Sequence, residues 1–71
     1  MLDKYGCELS QGDRIRVDGI FENTYTNNWA QSEFIRSEVF DGNLVAVVKG
    51  FDKRFSSQNV TLIKQGASNG H

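Results

Sequence analysis

Few residues of this 71-residue chain carry the side chains that enzymes use for covalent or acid–base chemistry. The single cysteine, Cys7, and the single histidine, His71, lie at opposite ends of the sequence. A nucleophile needs a base beside it, so these two residues do not predict a catalytic pair. The aspartates lack the spacing of a cation-binding loop, and there is no glycine-rich phosphate loop. The sequence predicts no catalytic residue, no metal site and no cofactor, although a carboxylate pair that includes Glu33 or Glu38 stays open.

Residues 22–31 are richer in binding chemistry. This stretch is dense in Asn and Thr and holds two large aromatic residues. Aromatic side chains with a polar edge give much contact area at a small cost in entropy, which suits a protein–protein contact on a loop. We therefore predict that a protein partner binds here, with the aromatic residues as anchors and an arginine at the rim. The predicted binding residues are Tyr25, Trp29, Asn27, Asn28 and Arg36. The alternative for Trp29 is structural, as a ring that closes an open end of the small core.

A second candidate interface lies at residues 49–55, where basic and aromatic side chains alternate. Basic side chains can form ion pairs with phosphates, and aromatic side chains can stack on unpaired nucleobases. The residues of this alternative nucleic-acid site are Lys49, Phe51, Lys53 and Arg54. Gly50 interrupts the alternation, and Phe55 is expected in the core.

The charge balance makes nucleic acid the second hypothesis. Eight Lys and Arg against nine Asp and Glu leave a net charge of −1, whereas nucleic-acid-binding domains are usually strongly basic. The charges are unevenly distributed along the chain. Residues 1–48 hold four bases and eight acids (−4), and residues 49–71 hold four bases and one acid (+3).

Turn residues divide the chain into short segments with the alternation of strands. Arg14 to Asp18 alternates polar and apolar residues, which predicts a strand with Ile15 and Val17 facing inward. Residues 19–21 are expected to extend it, and a bulge or bend at Gly19 stays open. Residues 22–31 are predicted to form a long loop. A helix from Asn28 to Arg36 is the weaker alternative, because Asn and Thr are poor helix formers.

The rest of the chain predicts four further strands. The second covers residues 33–40, and the Asp-Gly pair at residues 41–42 predicts a tight hairpin. The third, residues 44–49, is apolar on both faces and is expected to be the central, most buried strand. A short strand near residues 51–55, one turn of 3₁₀ helix at residues 56–59 and a last strand at residues 60–63 complete the set.

The pattern Leu9-x-x-Gly12-Asp13-x-Ile15-x-Val17 resembles the start of many bacterial small barrels of the Src-homology-3-like type. The long loop, the tight hairpin and the 3₁₀ connection follow in the order of those barrels. The resemblance implies an all-β fold, a small five-stranded Src-homology-3-like barrel with a long loop after strand one. The barrel would cover residues 1–64, and residues 65–71 would be a flexible tail. An oligonucleotide-binding barrel competes, but it requires more chain and usually a helix.

Barrels of this family bind peptides, nucleic acid or partner domains and rarely catalyse. The resemblance therefore implies a non-catalytic binding module, such as a bacterial or phage accessory protein. The longest apolar run, Leu44 to Val48, is far shorter than the roughly 20 residues of a membrane span, and the N-terminal residues do not resemble a signal peptide. A single cysteine cannot form an internal disulfide. We expect a cytoplasmic protein that does not enter the membrane, and a homo-oligomer stays open.

Overall fold

A computed structural model describes residues 1–21 and 28–66 of the chain. Its elements, in chain order, are β1 (Arg14–Asp18), β2 (Trp29–Phe40), β3 (Asn43–Val48), β4 (Arg54–Ser56), a 3₁₀ turn (Ser57–Asn59) and β5 (Val60–Lys64). The strands form one sheet in the order β4-β3-β2-β1-β5, and every neighbouring pair is antiparallel. The predicted all-β class with five strands is confirmed. No helix of the described ranges is long and apolar enough to cross a membrane.

Strand β1 has the predicted alternation, since Ile15 and Val17 are fully buried and Arg14 and Arg16 are exposed. The predicted extension through residues 19–21 is wrong. Gly19 has a φ of 74°, a left-handed conformation that glycine adopts readily and that ends an extended strand.

Strand β2 begins four residues earlier than predicted, at Trp29. The prediction of a loop as far as residue 31 is therefore wrong at its C-terminal end, and the alternative helix from Asn28 is wrong altogether. The cause is pairing with β1, in which Asp18 lies opposite Trp29 and Val17 opposite Ala30. Ladder hydrogen bonds to a neighbouring strand override weak local preferences, which are all that the sequence displays in this segment.

A bulge divides β2 into two halves. Phe34 lies opposite Val48, yet Arg36 lies opposite the adjacent Val47, so β2 has one extra residue between these pairs. The extra residue reverses the alternation of side chains along the strand. Phe34 consequently points into the core, while Arg36, two residues later, lies on the outer surface.

The predicted hairpin between β2 and β3 is confirmed. Asp41 and Gly42 have φ angles of 53° and 80°, as a two-residue turn of the mirror-image type requires. Strand β3 lies between β2 and β4, so it is an interior strand, but the centre of the sheet is β2. The expectation that the third strand is central is therefore wrong. Ala46, Val47 and Val48 are buried, as predicted.

One cluster of apolar side chains forms the core. It draws on every strand and on the segment before β1, and its buried members are Leu9, Ile15, Val17, Phe34, Ala46, Val48, Phe55 and Val60. Met1 packs against this cluster from the N-terminal segment. The core therefore holds residues 1–13 against the sheet.

Two buried carboxylates, Asp3 and Asp13, form hydrogen bonds that hold the N-terminal and C-terminal segments together. Asp13 accepts hydrogen bonds from the backbone amides of Ser10 (2.8 Å) and Gly66 (2.9 Å). The chain thus stays attached two residues beyond the end of β5. The predicted tail from residue 65 includes Gln65 and Gly66, and residues 67–71 lie outside the described ranges.

Candidate binding site around Trp29

Trp29 lies on the outer face of the sheet formed by β5, β1 and β2. Its side chain is 43% exposed, although Trp29 is the first residue of a strand rather than part of a loop. Residues directly opposite one another in antiparallel strands share a face. Asp18 lies opposite Trp29, and Arg16 lies opposite both Gln31 on β2 and Thr61 on β5. This register places Arg16 diagonally next to Trp29.

One side-chain pairing on this face joins Arg16 and Trp29. The guanidinium carbon of Arg16 lies 4.5 Å from the centroid of the Trp29 ring, a cation–π contact. The Nε atom of Arg16 also donates to Oδ1 of Asp18 at 3.1 Å. The ring and the carboxylate together hold the guanidinium group in one orientation on an exposed surface.

An open groove of roughly 460 Å³ runs beside Arg16. We call it the Arg16 groove, and its walls include Lys4, Tyr5, Arg16, Asp18, Asn59 and Thr61. The ammonium group of Lys4 lies 5.4 Å from the centroid of the Tyr5 ring. Tyr5 is 71% exposed. Two basic residues of the groove, Lys4 and Arg16, therefore each lie against an exposed aromatic ring, Tyr5 and Trp29 respectively.

The face that holds Trp29 and the Arg16 groove is more basic than the chain as a whole. Among residues 1–21 and 28–66, four bases lie on this face against two acids, although the net charge of the whole chain is −1. The bases are Lys4, Arg14, Arg16 and Lys64, and the acids are Asp18 and Glu33. The pairing of β5 with β1 brings Lys64 opposite Arg14. Tertiary structure thus joins bases from both halves of the sequence.

The structure places Arg36 away from Trp29. It lies seven residues further along β2 and beyond the bulge, roughly 20 Å along a strand. There it donates to Glu38 (2.8 Å), which also accepts from Arg54 on β4 (3.0 Å). The hydrogen bonds from Arg54 and Arg36 lower the pKa of Glu38, against a smaller opposing effect of desolvation. Arg36 belongs to this ion-pair network and not to the rim of the Trp29 site.

The other predicted binding residues lie within residues 22–27, which the structure leaves undescribed, or directly after them. Tyr25 and Asn27 lie outside the described ranges. The side chain of Asn28 accepts from the backbone amide of Phe21 and donates to its carbonyl oxygen, both at 2.7 Å. Asn28 thereby joins the two ends of the connection between β1 and β2.

Three residues of the alternative nucleic-acid site, Lys49, Lys53 and Arg54, are exposed. Lys53 donates to the carbonyl oxygen of Gly19, and Arg54 pairs with Glu38. Phe51 is half-buried against the core and meets Phe55 edge-to-face at 5.6 Å. Lys49 is exposed. As expected, Phe55 is a core residue, and Phe51 joins it.

A second exposed apolar surface lies at the other end of β2. Val39 and Phe40 are 73% and 71% exposed, and Leu2 and Leu44 are about half exposed. Leu2, Phe40 and Leu44 line an open cleft between the β2–β3 turn and the N-terminal residues. Of the described residues that line this cleft, none belongs to an aromatic–cation pair and Asp41 alone has a charged side chain.

Sequence reasoning missed the contributions of Lys4, Tyr5, Arg16 and Asp18 to the site. The alternation of β1 already placed Arg16 and Asp18 outward, but their pairing with Trp29 depends on where β2 begins. Within the described ranges, no cluster of His, Cys, Asp or Glu is arranged to hold a metal ion. No protein family model, no curated protein and no solved structure matches this chain.

Proposed function

We propose that this chain is a non-catalytic binding module that engages a protein partner through the surface around Trp29. The observation that carries the proposal is the contact between Trp29 and Arg16. A half-exposed tryptophan held in place by a cation is rigid before binding, so it loses little entropy when a partner covers it. Tryptophan, tyrosine and arginine are also the residues most enriched among energetically dominant interface positions.

We further infer that the sheet closes into a barrel of the Src-homology-3-like type. Three features support this inference: the strand order β4-β3-β2-β1-β5, the long connection between β1 and β2, and the 3₁₀ turn between β4 and β5. In such a barrel, β2 would contribute its two halves to both sides of the fold, and the bulge at Ile35 would provide the bend. Binding of partner domains is a common use of this architecture.

The proposal is tested by capture of partners from the native extract with immobilised wild-type and variant chains after nuclease treatment. Trp29→Ala removes the proposed anchor. Phe40→Ala is the matched control, because it removes a still more exposed aromatic side chain at the opposite end of β2. A protein that is retained by wild type and by Phe40→Ala but lost with Trp29→Ala supports the proposal. Equal retention by all three chains would disprove it.

Nucleic acid is the alternative ligand, and the excess of bases on the face around Trp29 is the observation that favours it. Binding to phosphates weakens steeply with salt, because counterions are released on association. An aromatic-anchored contact with a protein depends less on salt. A titration of the captured complex from about 50 to about 200 mM salt separates the two, since several phosphate contacts would reduce the affinity by a thousandfold or more, as an order of magnitude.

We infer the cellular location and the source of this module from its composition and architecture. We propose a cytoplasmic accessory protein of bacterial or phage origin, because the single cysteine suits a reducing compartment. Cell fractionation with an antibody against the chain tests the location.

A further inference from the structure

We propose that the Arg16 groove binds a carboxylate side chain from an extended acidic segment of a protein partner. This proposal rests on the proposed function, because it names the chemistry of the partner that binds around Trp29. Its basis is the combination of an oriented guanidinium group, a second cation and a polar groove between them.

The guanidinium group of Arg16 is held so that its outer end remains available. Its Nε atom donates to Asp18, and its flat face lies against the Trp29 ring. Within residues 1–21 and 28–66, no acceptor is paired with its Nη1 or Nη2 atom. These two nitrogens present parallel N–H donors with the spacing of a carboxylate, which a lysine cannot reproduce.

Lys4 supplies the second cation. Its ammonium group lies over the exposed ring of Tyr5, and no acid of the described ranges forms an ion pair with it. Among the described residues, those that line the groove thus include two cations and a single carboxylate, that of Asp18, which Arg16 already engages. The unbalanced charge favours an anionic ligand.

The pattern of charges favours an acidic peptide over a nucleic acid. A polyphosphate backbone carries a charge at every unit and binds best along a continuous basic path. Here Asp18 and Glu33 interrupt that path, since Glu33 lies opposite Arg14. Carboxylates spaced along a peptide can meet Arg16 and Lys4 while avoiding these acids. The side chains of Asn59 and Thr61, in the wall of the groove, offer hydrogen bonds to peptide amides.

The chain contains its own reporter for this site, because Trp29 is its only tryptophan. The experiment titrates the full chain with a short polyglutamate peptide at about 50 mM salt, a concentration at which surface charges are only partly screened. A polylysine peptide of equal length and a single-stranded oligothymidylate are the comparison ligands. We expect a saturable change in Trp29 fluorescence with polyglutamate alone. Tighter binding of the oligothymidylate would overturn the proposal in favour of nucleic acid.

Two charge-conserving substitutions separate a specific carboxylate site from general attraction. Arg16→Lys keeps the positive charge but removes the pair of parallel donors. Arg36→Lys makes the same change on the other half of β2 and is the matched control. We expect Arg16→Lys to weaken polyglutamate binding about tenfold and Arg36→Lys to change it by less than about twofold. Equal effects of the two substitutions would overturn the proposal.

Side-chain NMR of the wild-type chain keeps the test independent of variant folding. Addition of polyglutamate should shift the guanidinium resonances of Arg16 and leave those of Arg36 in place. If Trp29→Ala abolishes partner capture but polyglutamate does not bind, the proposed function stands and the acidic ligand is refuted. If polyglutamate binds through Arg16 but Trp29→Ala leaves capture intact, the carboxylate site stands and the proposed function fails.

Discussion

The carboxylate of Asp3 accepts a hydrogen bond from the backbone amide of Leu62 at 2.8 Å, across 59 positions of the sequence. Its other oxygen accepts from the amides of Tyr5 and Cys7 at 2.9 and 2.8 Å. One buried side chain therefore shapes the N-terminal turn and ties it to β5. Since Lys4 and Tyr5 form part of the Arg16 groove, the same carboxylate positions one wall of the candidate site.

Replacement of Asp3 by asparagine should destabilise the fold. Asparagine has one acceptor oxygen in place of two and brings a donor NH₂ group against backbone N–H groups. An unsatisfied buried donor typically costs about 1–3 kcal/mol, and we expect the free energy of unfolding to fall by about 2 kcal/mol. Urea denaturation measures the change, with the exposed Asp52→Asn as the control. A loss no larger than that of the control would show that the amide bonds of Asp3 contribute nothing.

The stability of the wild-type chain should also fall in acid because of Asp3. Burial acts to raise the pKa of this carboxyl, but hydrogen bonds from the amides of Leu62, Cys7, Tyr5 and Gly6 outweigh it, so the pKa is lowered from its usual value of 3.8. A carboxyl with a lowered pKa in the folded state contributes stability above about pH 4, the pKa of an unfolded aspartate, and loses it as the pH falls through the folded pKa. Thermal melts of wild type and Asp3→Asn should therefore differ at neutral pH and converge in acid. A constant difference would contradict the assignment.

The contact between Arg16 and Trp29 should have a measurable coupling energy. Exposed cation–π pairs contribute about 0.5–1 kcal/mol, and Arg16 remains partly solvated at this surface. A double-mutant cycle with Arg16→Ala and Trp29→Ala isolates this energy from the other contacts of each residue. We expect about 0.5 kcal/mol, decreasing little with salt, since the ring carries no net charge. Zero coupling would remove the basis for regarding Trp29 as pre-positioned.

Truncation to alanine of two phenylalanines on β2 should have very different effects on the stability of the fold. Phe34 is 3% exposed and belongs to the core, whereas Phe40 is 71% exposed at the hairpin end. Truncation of a buried phenylalanine to alanine typically costs about 3–5 kcal/mol, while surface substitutions usually stay within about 0.5 kcal/mol. We expect Phe34→Ala to lower the melting temperature sharply and Phe40→Ala to leave it nearly unchanged. A large loss with Phe40→Ala would place that ring in a contact within the fold or with another copy.

Local sequence determined most of the strands. Alternation in residues 14–18, the Asp-Gly pair at residues 41–42 and the β-branched run of β3 are each short-range signals. They act through side-chain periodicity and backbone conformation within a few residues. The buried faces of Ile15 and Val17, the hairpin and the 3₁₀ turn at residues 57–59 could all be predicted for this reason.

The beginning of β2 and the composition of the candidate site were decided by tertiary structure. Trp29 and Ala30 follow a segment that is dense in Asn and Thr, and they become extended because β1 offers them a hydrogen-bonding partner. The bulge at Ile35 then separates Arg36 from Trp29. No local signal marked either event.

Residue types alone singled out Trp29 as a binding candidate, since a large aromatic residue in a polar segment is unusual in a chain with so small a core. Its neighbours depend on register, because a shift of one residue moves every side chain of a strand to the other face. Pairing between strands therefore decided that Arg16 and Asp18, not Arg36, accompany Trp29.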